Sequence, residues 1–161
     1  MRYLLGALFA LMFSGLALAQ PVNTGHLTAE LVSSRTGIAP GQTIQVALRQ
    51  TIQKDWHTYW RNAGDSGEAT RISWTLPKGW TVSDFTWPMP HRLPVGPLVN
   101  YGYEGDVLLP MTLTAPADAR PGQTLTLRAA AAFLVCAEIC VPADAVLTLP
   151  MPVVADAAGA G

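Results

Sequence analysis

The sequence is poor in charged residues. Only 13% of the chain is charged, and its 10 basic and 11 acidic side chains are scattered without a run of one sign. Proteins that bind nucleic acid or an anionic membrane surface do so through clustered lysine and arginine side chains. The sequence therefore predicts neither kind of partner.

Long hydrophobic segments are absent except at the N-terminus. There Arg2 precedes an apolar run from Leu4 to Leu18, and Ala17-Leu18-Ala19 forms a small-x-small cleavage site. This pattern predicts a signal peptide over residues 1–19, with an uncleaved anchor or a buried N-terminal helix as the alternatives. No later segment has spanning length, so the exported domain is expected not to insert into a membrane. Export places the protein in an oxidising compartment, where disulfides persist.

Helical periodicity is also missing from the rest of the chain, and alternation of apolar and polar residues takes its place. In Thr43 to Arg49, Ile44, Val46 and Leu48 fall on one face, as in a half-buried strand. The same alternation recurs in five other segments: Leu27, Ala29 and Leu31; Ile72, Trp74 and Leu76; Val107, Leu109, Met111 and Leu113; Leu125, Leu127 and Ala129; and Leu147, Leu149, Met151 and Val153.

These segments predict an all-β domain of seven to nine strands over residues 20–154. Pro40-Gly41 and Pro121-Gly122 open similar turns, each feeding an alternating strand. Pro150 and Pro152 cannot donate ladder hydrogen bonds, which makes the last strand an edge strand. The expected architecture is an immunoglobulin-like antiparallel β-sandwich, with a closed barrel as the alternative. Residues 155–161, rich in Ala and Gly, are expected to form a tail or linker.

Two segments do not alternate and are predicted to be loops. One is the polar, glycine-bearing stretch Asn62 to Glu68, and the other is the proline-rich stretch Trp87 to Pro97, which leads into Tyr101-Gly102-Tyr103-Glu104-Gly105. A central strand could not contain so many prolines. Loops of this length in a compact domain are more often functional than idle.

The chain contains only two cysteines, Cys136 and Cys140, with three residues between them. A disulfide between them requires the segment to bend, because four residues of extended strand span about 13 Å. A ring this small stabilises a fold by only about 2 kcal/mol, whereas a ring of many tens of residues gives about 4 kcal/mol or more. The placement favours a redox pair, and a short structural disulfide and a metal site remain as alternatives.

Metal ligands and hydrolytic nucleophiles are scarce. None of His26, His57 and His91 stands at ligand spacing beside the cysteines, so no metal and no cofactor are expected. His57, beside Trp56, is interpreted as a packed or hydrogen-bonded histidine. Gly64-Asp65-Ser66-Gly67 is not a Gly-x-Ser-x-Gly elbow and is predicted to be a turn.

Taken in order, several motifs resemble the N-terminal periplasmic domain of the thiol:disulfide interchange protein DsbD family, most closely its copper-tolerance relatives of the ScsB type. The resemblance covers about residues 26 to 153. Its motifs are Trp56-His57-Thr58-Tyr59-Trp60-Arg61-Asn62, Gly64-Asp65-Ser66-Gly67, Ile72-Ser73-Trp74-Thr75-Leu76-Pro77, Trp87-Pro88-Met89-Pro90, Tyr101-Gly102-Tyr103-Glu104-Gly105, and Phe133 to Cys136 with Cys140-Val141-Pro142.

The resemblance implies an immunoglobulin-like sandwich that acts as a periplasmic thiol–disulfide oxidoreductase. Cys140 would be the exchanging thiol and Cys136 the resolving one. Tyr101 to Gly105 is the best match to the family's cap loop, with Tyr103 and Glu104 assigned to shielding and proton handling. A membrane-embedded disulfide reductase would donate electrons, and a periplasmic thioredoxin-fold protein would accept them.

Two other functions remain open at this point. One is a non-catalytic binding or assembly domain with a structural disulfide. The other is copper capture by the reduced thiols, which follows from the copper-tolerance relatives. The chain also departs from DsbD-type members, which separate their cysteines by more than three residues.

Overall fold

The computed structural model describes residues 19–156 and residue 158. Residues 1–18, which carry most of the predicted signal peptide, and part of the predicted tail lie outside the described residues. Across the described part of the chain no helix is both long and apolar enough to cross a membrane. Its eleven β-strands are β1 (Val22–Asn23), β2 (Leu27–Ser33), β3 (Thr43–Ile52), β4 (Thr58–Gly64), β5 (Arg71–Thr75), β6 (Thr81–Val82), β7 (His91–Val95), β8 (Leu98–Tyr103), β9 (Asp106–Thr114), β10 (Thr124–Cys136) and β11 (Cys140–Pro152).

One layer is a five-stranded sheet in the order β1-β2-β3-β9-β6. Its strands pair antiparallel, with Leu48 of β3 opposite Leu31 of β2 and Leu109 of β9. All three leucines have 0–1% of their surface exposed, and burying a leucine this completely contributes about 1.5–3 kcal/mol. The alternation predicted for Thr43 to Arg49 is confirmed, and the strand continues to Ile52.

The other layer consists of two three-stranded sheets, β11-β10-β5 and β4-β8-β7. The β10–β11 hairpin runs in continuous register from Thr124 opposite Pro152 to Cys136 opposite Cys140. An isolated bridge between His57, just before β4, and Cys136, at the end of β10, connects the two sheets. This connection brings β4 to the end of the cysteine hairpin.

Close approach of β4 and β8 depends on Gly102. A side-chain carbon at this position would overlap the backbone carbonyl of Thr58 on β4. Glycine has no such atom, so the two strands can meet next to the cysteine hairpin.

The predicted all-β, immunoglobulin-like antiparallel sandwich is confirmed. The apolar faces of the two layers form one core between them, as expected for packed sheets. Its buried members include Leu27, Leu31, Val46, Leu48, Leu109, Met111 and Leu113 from the first layer, and Leu127, Ala129, Phe133, Leu147, Leu149 and Met151 from the second.

The prediction that the last strand is an edge strand is also confirmed, because β11 lies at the end of its sheet. The carbonyl of Pro152 accepts a hydrogen bond from the backbone N–H of Ile38, on the side away from β10. Pro142 and Pro150 lie an even number of residues before Pro152. Their backbone nitrogens, which carry no hydrogen, therefore also face away from β10. The strand begins at Cys140, earlier than Leu147, the first residue of the predicted alternation.

The two predicted loops are shorter than expected, and the strand count is higher. Part of Asn62 to Glu68 belongs to β4, and part of the proline-rich stretch forms β7. β7 contains Pro94, and it lies at the edge of its sheet, where a proline is tolerated. No predicted alternation covers the three remaining strands, which are β8 and the two-residue strands β1 and β6.

Candidate functional site

Cys136 and Cys140 form a disulfide at the tip of the β10–β11 hairpin. Their Cα atoms are 4.1 Å apart, and the chain bends through residues 137–139. The backbone N–H of Ala137 donates to the carbonyl of Ile139 at 2.9 Å within this bend. The predicted bend between the cysteines is therefore confirmed.

The two cysteines differ in exposure. Cys136 ends β10 with only 1% of its surface exposed, whereas Cys140 begins β11 as an exposed residue. Ile139, beside Cys140 in the bend, is 66% exposed. Of the two cysteines, Cys140 is therefore the one that a molecule approaching the hairpin tip can contact.

Paired backbone hydrogen bonds hold Cys136 against His57. The N–H of His57 donates to the carbonyl of Cys136 at 2.9 Å, and the N–H of Cys136 donates to the carbonyl of His57 at 3.0 Å. Because side chains alternate along an extended chain, the side chains of His57 and Tyr59 point to the same side. The bridge thus places both beside the disulfide.

The side chains of Tyr59 and His57 extend this arrangement to Sγ of Cys140. The Tyr59 hydroxyl lies 3.9 Å from Sγ of Cys140, and Nε2 of His57 lies 3.2 Å from the same hydroxyl. The Tyr59 ring is 2% exposed and packs edge-to-face on His57, with 5.1 Å between ring centroids. Gly67 contacts the Tyr59 ring on another side, where a side-chain carbon would overlap it.

Sequence reasoning treated His57 as packed or hydrogen-bonded, which is confirmed, but it did not single out Tyr59. The signal that could have found Tyr59 is its spacing of two residues from His57. That spacing indicates a shared face, but it does not indicate that Cys140 lies there.

Burial shifts the acid–base properties of both side chains in favour of their neutral forms. Desolvation lowers the pKa of His57 from 6.5, although the nearby charge of Glu104 acts in the opposite direction. Desolvation also raises the pKa of the Tyr59 hydroxyl above its usual value. At neutral pH the pair is therefore an imidazole and a phenol.

A groove of about 800 Å³ lies beside the hairpin tip. Its walls come from the bend at residues 137–139, from β7, and from the segment before β4, including Trp56 and His57. Three carboxylate side chains (Asp55, Glu104 and Glu138) and one guanidinium (Arg92) line it. The groove therefore has an acidic balance of charge.

The segment Gly64-Asp65-Ser66-Gly67 forms the predicted turn. Asp65 accepts a hydrogen bond from the backbone N–H of Val99 at 2.7 Å. Ser66 donates through both its backbone N–H and its hydroxyl to Oδ1 of Asn100, at 3.0 and 3.1 Å. These hydrogen bonds connect the end of β4 to β8.

Within residues 19–156 and residue 158, no group of three or more His, Cys, Asp or Glu side chains is arranged to hold a metal ion.

Comparison with known families shows which family the chain belongs to. The sequence profile described as thiol:disulfide interchange protein DsbD, N-terminal, matches residues 28–152. The chain belongs to this family.

Solved structures give two further comparisons, and no curated protein sequence matches the chain. The N-terminal periplasmic domain of ScsB from Proteus mirabilis is similar with a TM-score of 0.62 and 22% identity over 80% of this chain. The match spans 49% of that structure, about half its length. The yeast GGA1 GAE domain matches with a TM-score of 0.44 and 12% identity, over 83% of this chain and 99% of that domain.

The residues predicted to form the cap of this DsbD N-terminal domain occupy three different environments. Tyr101 is partly exposed on β8 and pairs with Arg92 of β7. Tyr103 is buried, and its hydroxyl donates to the carbonyl of Pro88 at 2.9 Å. Burial raises the pKa of Tyr103 to about 12, against the opposing charge of Arg61. Only Glu104 lines the groove beside the hairpin tip.

The expectation that Tyr101 to Gly105 forms a loop is wrong for its first three residues. Tyr101 and Tyr103 belong to β8, which is hydrogen-bonded between β4 and β7. The segment that shares the groove with the cysteine bend is instead β7, from the proline-rich stretch. Only Leu93 of β7 is buried, so the strand has no alternating pattern by which the sequence could have indicated it.

Proposed function

We propose that the chain is a periplasmic thiol–disulfide exchange module that relays reducing equivalents through Cys136 and Cys140. The observation that carries the proposal is the asymmetry of the pair at the hairpin tip, with Cys140 exposed and Cys136 1% exposed. Exchange requires one sulfur that a partner can reach and a second sulfur close enough to resolve the mixed disulfide. Membership of the DsbD N-terminal family supports the same function.

The proposed reaction transfers two electrons to a partner disulfide. The Cys140 thiolate attacks one partner sulfur, which forms a Cys140–partner disulfide and releases the second partner sulfur as a thiolate. The Cys136 thiolate then attacks Sγ of Cys140, which closes the intramolecular disulfide and releases the first partner sulfur. Protons from the module's two thiols balance the two thiols formed on the partner.

The partners follow from the same proposal. The dithiol of a membrane-embedded disulfide reductase would regenerate the module, and an exported thioredoxin-fold protein would accept the electrons. The predicted signal peptide over residues 1–19 would deliver the domain to the periplasm.

Trapping of the mixed disulfide tests the proposal. Reduced Cys136→Ser is mixed with a periplasmic thioredoxin-fold protein that carries its active-site disulfide, and adducts are quantified by mass spectrometry. Cys136→Ser should accumulate the adduct because it has no resolving thiol. Cys140→Ser is the matched control and should form little adduct, because its remaining thiol is buried. Absence of any adduct, or equal adducts from the two variants, contradicts the proposal.

A reduction potential separates exchange from a purely structural bridge. Structural disulfides of exported proteins lie below about −300 mV, whereas exchanging pairs lie higher. The wild-type pair is expected above that value in equilibrium with a glutathione or dithiothreitol buffer. A value below it would make the pair a structural disulfide.

A further inference from the structure

We infer that the Tyr59 hydroxyl is a catalytic group that carries the proton of the Cys140 thiol, and that His57 is the positioning residue that accepts it through Tyr59. The inference rests on the exchange function proposed above and assigns proton transfer to specific residues. It differs from the expectation taken from the cap residues Tyr103 and Glu104.

The geometry forms a short chain of polar atoms that ends at Sγ of Cys140. The Tyr59 oxygen lies 3.9 Å from Sγ of Cys140 and 3.2 Å from Nε2 of His57. A hydroxyl both donates and accepts, so it can accept from a thiol while it donates to an imidazole nitrogen. The Tyr103 hydroxyl, by contrast, already donates to Pro88.

The surrounding structure restricts the movement of this chain of atoms. The His57 backbone is paired in both directions with that of Cys136, and the Tyr59 ring lies between His57 and Gly67. A tyrosine that is 2% exposed and close to a reactive sulfur is therefore a preorganised partner for a thiolate, which needs no large rearrangement to act.

The proposed proton transfer is balanced. The S–H bond of Cys140 breaks and its electron pair stays on sulfur, which becomes the attacking thiolate. The proton joins the Tyr59 oxygen as the original hydroxyl proton passes to Nε2 of His57. Tyr59 ends as a neutral phenol that donates to the thiolate, and His57 ends as an imidazolium. His57 also lines the groove, through which its proton returns to water.

The charges around His57 set when the transfer can occur. Asp55, Glu104, Glu138 and Arg92 share the groove with it, and Glu104 favours its protonated form. Burial is the larger influence and lowers the pKa of His57 below 6.5, so the imidazole is free to accept a proton at neutral pH. The transfer is lost as the pH falls through this lowered pKa, because a protonated His57 cannot accept.

The rate of Cys140 alkylation measures the transfer without any partner protein. The full reduced chain is treated with iodoacetamide from about pH 5 to pH 9, and alkylation at each cysteine is followed by peptide mass spectrometry. In Tyr59→Phe, which removes one oxygen atom, alkylation of Cys140 near pH 7 should be about tenfold slower. This corresponds to the loss of a hydrogen bond to a charged sulfur.

His57→Gln provides the second variant, because glutamine can hydrogen-bond to Tyr59 but cannot accept its proton. As the pH falls below 6.5, alkylation of Cys140 in the wild type should slow more than protonation of the thiol alone explains. His57→Gln should not show this additional slowing. His91→Gln, which changes an exposed histidine on β7, is the matched control and should retain it. In urea, all variants should be alkylated at the wild-type rate.

Folded Tyr59→Phe with wild-type reactivity would overturn the inference, as would a wild-type pH profile in His57→Gln. If the trapping experiment succeeds while Tyr59→Phe has no effect, only the proton transfer is refuted. If trapping fails while Tyr59→Phe slows alkylation, the exchange function is refuted and the assignment of Tyr59 stands.

Discussion

At the scale of single residues, the main feature is that two chemically identical cysteines have different environments. Cys136 is paired with His57 in an isolated β-bridge, and Cys140 lies at the exposed start of β11. Thiolate formation is controlled by surroundings rather than by the thiol alone. The proposed roles of attacking and resolving sulfur therefore follow from position, as does the importance of Tyr59.

The buried His57 should make stability depend on pH. Its pKa is lowered in the folded state, so the unfolded chain binds more protons below about pH 6.5 and stability decreases there. The free energy of unfolding should fall from pH 6.5 down to the folded-state pKa, by about 1.4 kcal/mol for each unit by which the pKa is lowered. Urea denaturation at several pH values across this range measures the change in the free energy of unfolding.

His57→Gln should remove this part of the pH dependence, whereas His91→Gln should leave it in place. A wild-type stability that is flat between pH 7 and the acid range would contradict the assignment of His57 as a buried, neutral imidazole.

At the scale of elements, the β10–β11 hairpin carries the disulfide at its tip and is paired along its whole length. Pairing between the strands is continuous from Thr124 to Cys136, and β5 flanks β10 on its other side. The apolar faces of both long strands contribute to the shared core. The fold is therefore held mainly by pairing and burial.

Reduction of the disulfide should cost little stability. A ring closed between residues four apart in sequence stabilises by about 2 kcal/mol at most in the chain-entropy description. Urea denaturation of the oxidised and the reduced protein should differ by no more than this, with the same m-value. The double variant Cys136→Ala/Cys140→Ala controls for the chemistry of the reductant. A loss of cooperative unfolding on reduction would instead show that the bridge is structural.

At the scale of the whole molecule, the distribution of charge matters more than its sum. The chain carries a net charge of only −1, yet Asp55, Glu104 and Glu138 outnumber Arg92 in the groove beside the hairpin tip. A local field of this kind attracts ligands of the opposite sign and is weakened by salt. Cationic disulfides should therefore approach Cys140 more readily than anionic ones.

Small disulfides of opposite charge test this field. The reduced protein should react a few-fold faster with cystamine, a dication, than with oxidised glutathione, an anion, after correction for their intrinsic reactivities. The difference should shrink as ionic strength approaches about 0.15 M, where charges are screened over about 8 Å. Stopped-flow or quenched assays give both rates.

Glu138→Gln should reduce the preference for cystamine. Asp118→Asn is the matched control, because Asp118 is an exposed carboxylate beyond the far end of β9 from Glu104, and it should leave the preference unchanged. Equal rates for the two probes at low salt would show that the groove charges do not act on the sulfur.

The sequence by itself determined the six alternating strands (β2, β3, β5, β9, β10 and β11), the edge position of β11, the turn at Asp65 and the bend between the cysteines. Each follows from a local rule: the alternation of apolar residues, the lack of an N–H group in proline, or the distance that a few residues of chain can span. Only the tertiary structure decided that Cys140 is the exposed cysteine, that the Tyr59 hydroxyl lies 3.9 Å from its Sγ, and that β7 rather than a loop at Tyr101 shares the groove. The reason is physical: these contacts join segments far apart in sequence, 81 residues in the case of Tyr59 and Cys140. Their register is set by packing between strands rather than by any local pattern.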